Sequence, residues 1–383
     1  MIGMFDNKEI IFVRNFLTPS PSSFEIKLAN NLKNNGFKLN AITFQKMEDK
    51  NQEIFDKNYY IVKNKNIGKF KKLLYLPRFI FKIRKIKNSI FIGISQPNWF
   101  IAFIFLFLKK KNNIRIYFPY DIAFFRFKDY SRYPWHERYA EKYNFRNCDG
   151  IIHKGPEEEL TWLPDFLKAE KKPQIQFLPY CDSKKLIPID NKNIKKISKK
   201  DGGIHLVYVG RVIHKIPKRE ASIDAFKEIV QQEIHIHVYA LNYKDLFKDE
   251  EYVQLQKNPY FHLYPPDYSD NFLLELSKYD WGFVLCNLNF DIIKKEWAKT
   301  AFGNKLSSHL EAGLPSIVTE ELPYFSYVIK KYNFGISLKS LKYLKKEIQK
   351  KDYSKLQNDI RINREKFTME YNIDRLINFF EKL

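Results

Sequence analysis

The stretch FGNKLSSHLEAGLPSIV, residues 302–318, decides how the second half of the chain is read. After a Phe-Gly opening, NKLSSHLEA places Leu306, Leu310 and Ala312 on a packing face of a helix. Gly313 and Pro315 break that helix, and SIV begins a strand. A helix feeding a strand through a Gly-x-Pro break suits a parallel α/β fold. In such folds a helix start at the carboxyl edge of the sheet favours an anion. Gly303, Asn304, Lys305, Ser307 and Ser308 stand at that start. The stretch therefore joins a packing face to a polar, cationic one.

Working outward, the same order repeats. IHLVYVGR (204–211) reads as a strand, REASIDAFKEIVQQ (219–232) as a helix and IHIHVYAL (234–241) as a strand. YFHLYPP (260–266), DNFLLELSKYD (270–280) and WGFVLC (281–286) give strand, helix, strand. PYFSYVIKKY (323–332) is a helix and GISL (335–338) a strand, and the last 45 residues read as helices. The first half alternates likewise. EIIFVRN (9–15), FKLNAITF (37–44), YYIVKN (59–64), SIFIGIS (89–95), IRIYFPYD (114–121) and GIIHKG (150–155) are strands. SSFEIKLANNLKNNG (22–36) is a helix with a serine cap and a glycine stop.

Between the halves, KKLIPIDNKNIKKISKKDGG (184–203) is polar, charged and aperiodic. The expected architecture is α/β, with two Rossmann-like doubly wound domains facing each other across a cleft. The first spans 1–183, a linker 184–203 and the second 204–340. Residues 341–383 form C-terminal helices that pack back toward the first domain. The length of 383 residues, with 44% hydrophobic content, suits two such cores.

The formal net charge is +22. It fits nucleic acid, an anionic membrane or a phosphorylated ligand, and equally a base composition that favours lysine codons. No nucleic-acid motif accompanies the charge. Cys148, Cys181 and Cys286 are scattered, which fits a reducing cytosol. No signal peptide is evident at the start. The longest apolar run, WFIAFIFLFL (99–108), is about half the length a membrane-spanning helix needs, and reads as a buried helix.

In YVGRVIHKIPKRE (208–220) a strand ends at Gly210, which permits close backbone approach, and Arg211, Lys215 and Lys218 follow. These cations suit a diphosphate without a metal, or form a solvated basic loop. Asp121 ends a strand and is either a base for an acceptor hydroxyl or the cap of a turn. His153 follows GII and either faces the cleft or belongs to the core. His235 and His237 share one strand face, but no third group has the spacing of a zinc site.

Together, VYVGR, SKYDWGFVLC and FGNKLSSHLEAGLPSIV resemble the two-domain GT-B nucleotide-sugar glycosyltransferases of the group-1, GT4-like set. RNCDGIIHKGPEEELTWL and IQFLPYCD resemble the end of that set's N-terminal domain and the strand leading into its linker. The resemblance implies a nucleotide-sugar donor on the second domain and a glycan or lipid-linked acceptor on the first. It places Gly210, Arg211, Lys215 or Lys218, Gly303, Asn304, Lys305, Ser307, Ser308 and Glu311 around the donor, with the loop after HVYAL and Tyr264 to Pro266 near the base. It implies a metal-independent hexosyltransferase without cofactor, acting in bacterial surface polysaccharide assembly in the cytoplasm or on the inner face of the membrane. One departure stands out. Thr300 and Ser308 occupy the positions of the glutamate pair of retaining members, with Glu296 and Glu311 out of register. Tyr120 replaces the histidine of the set's His-Asp element, and NLNFD (287–291) only echoes the Asp-x-Asp of metal-dependent enzymes. Stereochemistry therefore does not follow. A nucleotide-sugar 2-epimerase and a non-catalytic nucleotide-sugar-binding protein remain as alternatives.

GKFKKLLYLPRFIFKIRKIK (68–87) alternates basic with apolar residues. It reads as an interfacial helix broken near Pro77 that meets anionic lipid, or as a helix with a solvated basic face. YSRYPWHERYAEKYNF (130–145) either contacts the acceptor or caps the domain.

Overall fold

Runs such as IIFV in β1 (Glu9–Arg14) and SIFIGI in β4 (Ser89–Ile94) are apolar on both faces, as a strand covered on both sides requires. They form the centre of a parallel seven-stranded sheet. The computed structural model of the chain describes residues 8–14, 23–47, 53–62, 69–94, 98–108, 112–161, 170–190, 193–212, 222–269, 271–285 and 293–383. Lys215, Lys218, Cys286 and the NLNFD stretch lie outside the described residues.

The first sheet also contains β2 (Leu39–Gln45), β3 (Lys57–Val62), β5 (Ile114–Phe118), β6 (Gly150–His153) and β7 (Gln174–Gln176). Their order is β3-β2-β1-β4-β5-β6-β7, with every pair parallel. The second sheet contains β8 (His205–Gly210), β9 (His235–Ala240), β10 (Phe261–Tyr264), β11 (Trp281–Val284), β12 (Ser316–Thr319) and β13 (Gly335–Leu338). Its order is β10-β9-β8-β11-β12-β13, again parallel throughout. Each sheet reverses its winding once, between β1 and β4 and between β8 and β11. Both are Rossmann-like, and a reversal of this kind opens a crevice at the carboxyl ends of the two strands.

Two compact units emerge, Met1–Leu178 with Asn372–Leu383, and Pro179–Tyr371. The polar stretch 184–203, read above as a linker, lies within the second. Ile187 N–H donates to the Glu311 carbonyl at 2.7 Å and Ile197 N–H to that of Lys278 at 3.0 Å. The Lys196 ammonium donates to the Tyr279 carbonyl at 2.5 Å. Backbone bonds to distant residues hold this segment, so its lack of side-chain periodicity carried no sign of them. Cys181 adds an isolated parallel bridge to Thr368.

The run at 99–108 forms the helix Asn98–Phe107, with Phe100, Ile101, Ile104 and Phe105 buried. No helix among the described residues is long and apolar enough to cross a membrane. The basic segment forms one helix, Lys69–Ile83, that continues through Pro77. The expected break is corrected: Phe79 and Ile83, one turn apart and both buried, anchor the helix beyond the proline. Its other side leaves Leu74 79% and Phe81 61% exposed.

Candidate functional site

β8 ends at Gly210 with φ +143°, a backbone state that favours glycine. A β-carbon there would stand 3.2 Å from Cε of Lys305. The Lys305 ammonium donates to the carbonyl of Leu285, just past β11, at 3.2 Å. It also lies 4.1 Å from the centre of the Tyr208 ring. One lysine thus spans the ends of β8 and β11, where the second sheet reverses. A cation held over an aromatic face and by one carbonyl keeps further N–H groups to offer an anion.

The turn after Gly210 is fastened from two sides. Tyr208 Oη donates to the Arg211 carbonyl at 2.8 Å. The Asn242 amide accepts from Val212 N–H at 3.0 Å and donates to the Val212 carbonyl at 2.9 Å. Arg211 and Asn304 are exposed beside this edge, and nothing lies within 4 Å of the Gly303 β-carbon position. Tyr208 escaped the sequence reading, and Asn242, which opens the loop after HVYAL, was not singled out within it. An asparagine just past a strand that follows a glycine-ended strand is the signal that would have found Asn242.

The helix Lys305–Glu311 has seven residues, so its two ends are roughly 10 Å apart. Ser307 is buried, and its hydroxyl donates to the Asn304 carbonyl at 2.8 Å. Ser308 is half-buried on the same helix. Glu311, expected near the donor, is fully buried at the far end and accepts from Asp182 N–H at 2.8 Å. The structure does not bring it to the Gly210 edge. It secures the segment entering the second unit. His309 sits under β11, where Gly282 makes room: a β-carbon there would lie 2.3 Å from the imidazole. Its Nδ1 is 2.9 Å from Ser316 Oγ, and burial followed by the charge of Lys305 pushes its pKa down to about 3. It is a neutral core group.

In the first unit, Asp121 follows β5 and pairs with Arg126 at 3.0 Å and Lys154 at 3.4 Å. Burial pushes its carboxyl up, but Lys154 and then Arg126 outweigh that and hold it below the usual range. The turn after Asp121 is tied to Glu141, which accepts from Ala123 N–H at 2.7 Å, Phe124 N–H at 3.3 Å and Tyr130 Oη at 2.7 Å. His153, read as facing the cleft or belonging to the core, is 1% exposed, and burial pushes its pKa down to about 4. Of the two readings it takes the core one, on a strand buried along its whole length.

Tyr264 ends β10, two strands from Gly210 and so roughly 10 Å away. It belongs to a ladder of rings. Tyr264 Oη is 3.3 Å from His237 Nδ1, and His237 Nε2 is 3.0 Å from His205 Nδ1. His205 Nε2 is 3.1 Å from both oxygens of Asp201. His235 Nδ1 is 3.1 Å from His262 Nε2. Sequence spacing offers His235 and His237 no third group, but the fold brings two more beside His235. His205 and Asp201 reach it from the neighbouring strand and the helix Ser198–Asp201, far upstream in sequence.

Comparison with solved structures shows the class of fold. HepE from Anabaena, in complex with UDP and glucose, aligns with a TM-score of 0.69 at 11% identity, covering 98% of this chain and 100% of that one. A glycosyltransferase from Rickettsia africae gives 0.62 at 13%, with 98% of each chain covered. WaaG, a glycosyltransferase involved in lipopolysaccharide biosynthesis, gives 0.57 at 11%, with 95% of each covered. The chain has the GT-B fold of two Rossmann-like domains. Residues 217–378 match the family model of the glucosyltransferase 3-like C-terminal domain. No curated protein sequence matches the chain.

Proposed function

We propose that this chain is a glycosyltransferase that takes a sugar from a nucleotide-diphosphate donor held at the carboxyl edge of the second sheet. The observation that carries the reading is the position of Lys305, whose ammonium joins the ends of β8 and β11 beside Gly210. Phosphates favour this edge of a doubly wound sheet, and Gly210 lets them approach the backbone. The match of residues 217–378 to a glucosyltransferase domain supports it, as do the UDP and glucose held by HepE. In the reaction, negative charge develops on the departing diphosphate. Lys305, with Arg211 and Lys215 or Lys218, offsets that charge and so lowers the barrier. On this reading the transfer is metal-independent.

The acceptor is a glycan or a lipid-linked glycan of a surface polysaccharide, reached from the cytoplasmic face. Support comes from the helix Lys69–Ile83, which presents Leu74, Tyr75 and Phe81 among the exposed cations Arg78, Lys82, Arg84 and Lys85. An apolar and basic face of this kind suits an anionic membrane surface.

A thermal-shift screen across UDP, GDP, CMP and dTDP sugars tests donor binding, followed by labelled-sugar transfer to extracted glycan and lipid acceptors. A donor that stabilises the protein and labels an acceptor is the expected result. Conversion of the donor to its epimer without acceptor would assign a 2-epimerase instead. Binding with no turnover would assign a non-catalytic binder.

A further inference from the structure

The amino edge of the second sheet, opposite Gly210, carries a cluster that donor binding does not use. His205 opens β8 and His235 opens β9, paired in register with rings stacked at 4.4 Å. The helix Ser198–Asp201 ends against them, and one ligand atom from each of Asp201, His205 and His235 lies within 4.8 Å of the others. Gly203 marks the space between them. A β-carbon there would stand 3.2 Å from His235 Nε2 and 3.3 Å from Asp201 Oδ1. Around a four-coordinate ion with bonds of about 2.0–2.2 Å, ligand atoms stand roughly 3.3–3.6 Å apart. Closure therefore asks for about 1 Å of movement and a tilt of the stacked rings. Asp201, whose side chain is 44% exposed, and the half-buried His235 are placed to supply it.

We propose that Asp201, His205 and His235 hold a divalent transition-metal ion of the zinc class, with water completing the shell, and that loading reverses a proton relay ending at Tyr264. Two imidazole nitrogens and one carboxylate suit zinc and its neighbours, whereas magnesium and calcium prefer all-oxygen sites. The relay follows from counting protons on neutral rings. Without metal, His205 Nε2–H donates to Asp201, so His205 Nδ1 accepts from His237 Nε2–H and His237 Nδ1 accepts from Tyr264 Oη. With metal on His205 Nε2, the proton sits on Nδ1 and donates to His237 Nε2. His237 Nδ1–H then donates to Tyr264 Oη, whose hydroxyl keeps its proton and turns it away from His237. The six residues of β8 put the ion about 17 Å from Gly210, so the ion site stands apart from the reading of the donor edge, and only the end of the relay at Tyr264 approaches it.

The test uses the full chain stripped by chelator. Calorimetry with zinc chloride should show one ion per chain, and cobalt(II) should give the visible absorption of a four-coordinate site. Asp201→Asn and His235→Gln should each weaken zinc binding by about tenfold or more, while the exposed Lys199→Gln leaves it unchanged. No stoichiometric uptake, or equal affinity in both ligand variants, overturns the site. Nitrogen-15 spectra of labelled histidines should move the His237 proton from Nε2 to Nδ1 on loading. The same tautomer in both states overturns the relay.

Discussion

Lys305 passes so close to Gly210 that a single added methyl group would stand 3.2 Å from its Cε, while its ammonium reaches across to the Leu285 carbonyl. Two strands that are far apart in sequence are joined through one side chain. Lys305→Ala should weaken nucleotide-diphosphate binding by roughly ten- to a hundredfold, the worth of one charge-assisted bond to phosphate. Lys305→Arg should recover only part of it, because the planar guanidinium does not fit the same gap. Calorimetry on both variants, with the nucleotide that the thermal-shift screen selects, checks this, and unchanged affinity in Lys305→Ala would remove the donor assignment.

Gly210→Ala should also weaken binding, for two reasons that act together. The residue is at φ +143°, and its new methyl displaces Lys305. Destabilisation of about 1–2 kcal/mol should accompany the loss of affinity, measured by urea denaturation.

Asn242→Ala removes both bonds to Val212 and leaves a buried N–H and carbonyl without that partner. A loss of about 1–3 kcal/mol is expected. Because the clamp holds the turn after Gly210, affinity for the nucleotide that the screen selects should fall several-fold, and Asn242→Asp, which keeps one acceptor, should fall less.

The alternation of strands and helices was legible because each parallel strand is a short apolar run between turn signals. GISL at 335–338 and PYFSYVIKKY at 323–332 appear where the pattern puts them. The polar stretch 184–203 was not legible, since backbone groups of Ile187 and Ile197 hold it and leave no side-chain period. Likewise Gly210 and Lys305 were visible singly as motif residues, but their contact depends on the β8–β11 reversal. The histidine cluster was hidden for the same reason. His205 and His235 meet through strand register, and local spacing around His235 shows only His237.

Gly282→Ala should destabilise the chain by roughly 1–3 kcal/mol, because its methyl would collide with the His309 ring at 2.3 Å. Adding His309→Ala vacates that space and should recover part of the loss. A double-mutant cycle by denaturant unfolding measures the coupling, and additive effects would contradict the packing described.

Burial pushes the Glu141 carboxyl up to about 7, against the bonds from Tyr130, Ala123 and Phe124 that favour its ionised form. An unfolded glutamic acid titrates near 4.3, so the folded chain retains a proton that the unfolded chain releases. This contribution is fully present below about pH 4 and is lost as pH rises through about 7. The loss is on the order of 3 kcal/mol. Glu141→Gln should flatten that part of the stability profile, seen by urea unfolding at intervals between about pH 4 and 8. An identical slope in the variant would assign the titration elsewhere.

The residues Asn372–Leu383 are counted with the first unit, where Phe379 and Leu383 press on Gly150 at the start of β6. During synthesis, the unit whose strands leave the ribosome first therefore lacks part of its cover until the whole second unit has been made. A fragment ending at Leu178 would expose that face of β6, so dissecting the two units needs a circularly permuted or co-expressed design rather than a single cut.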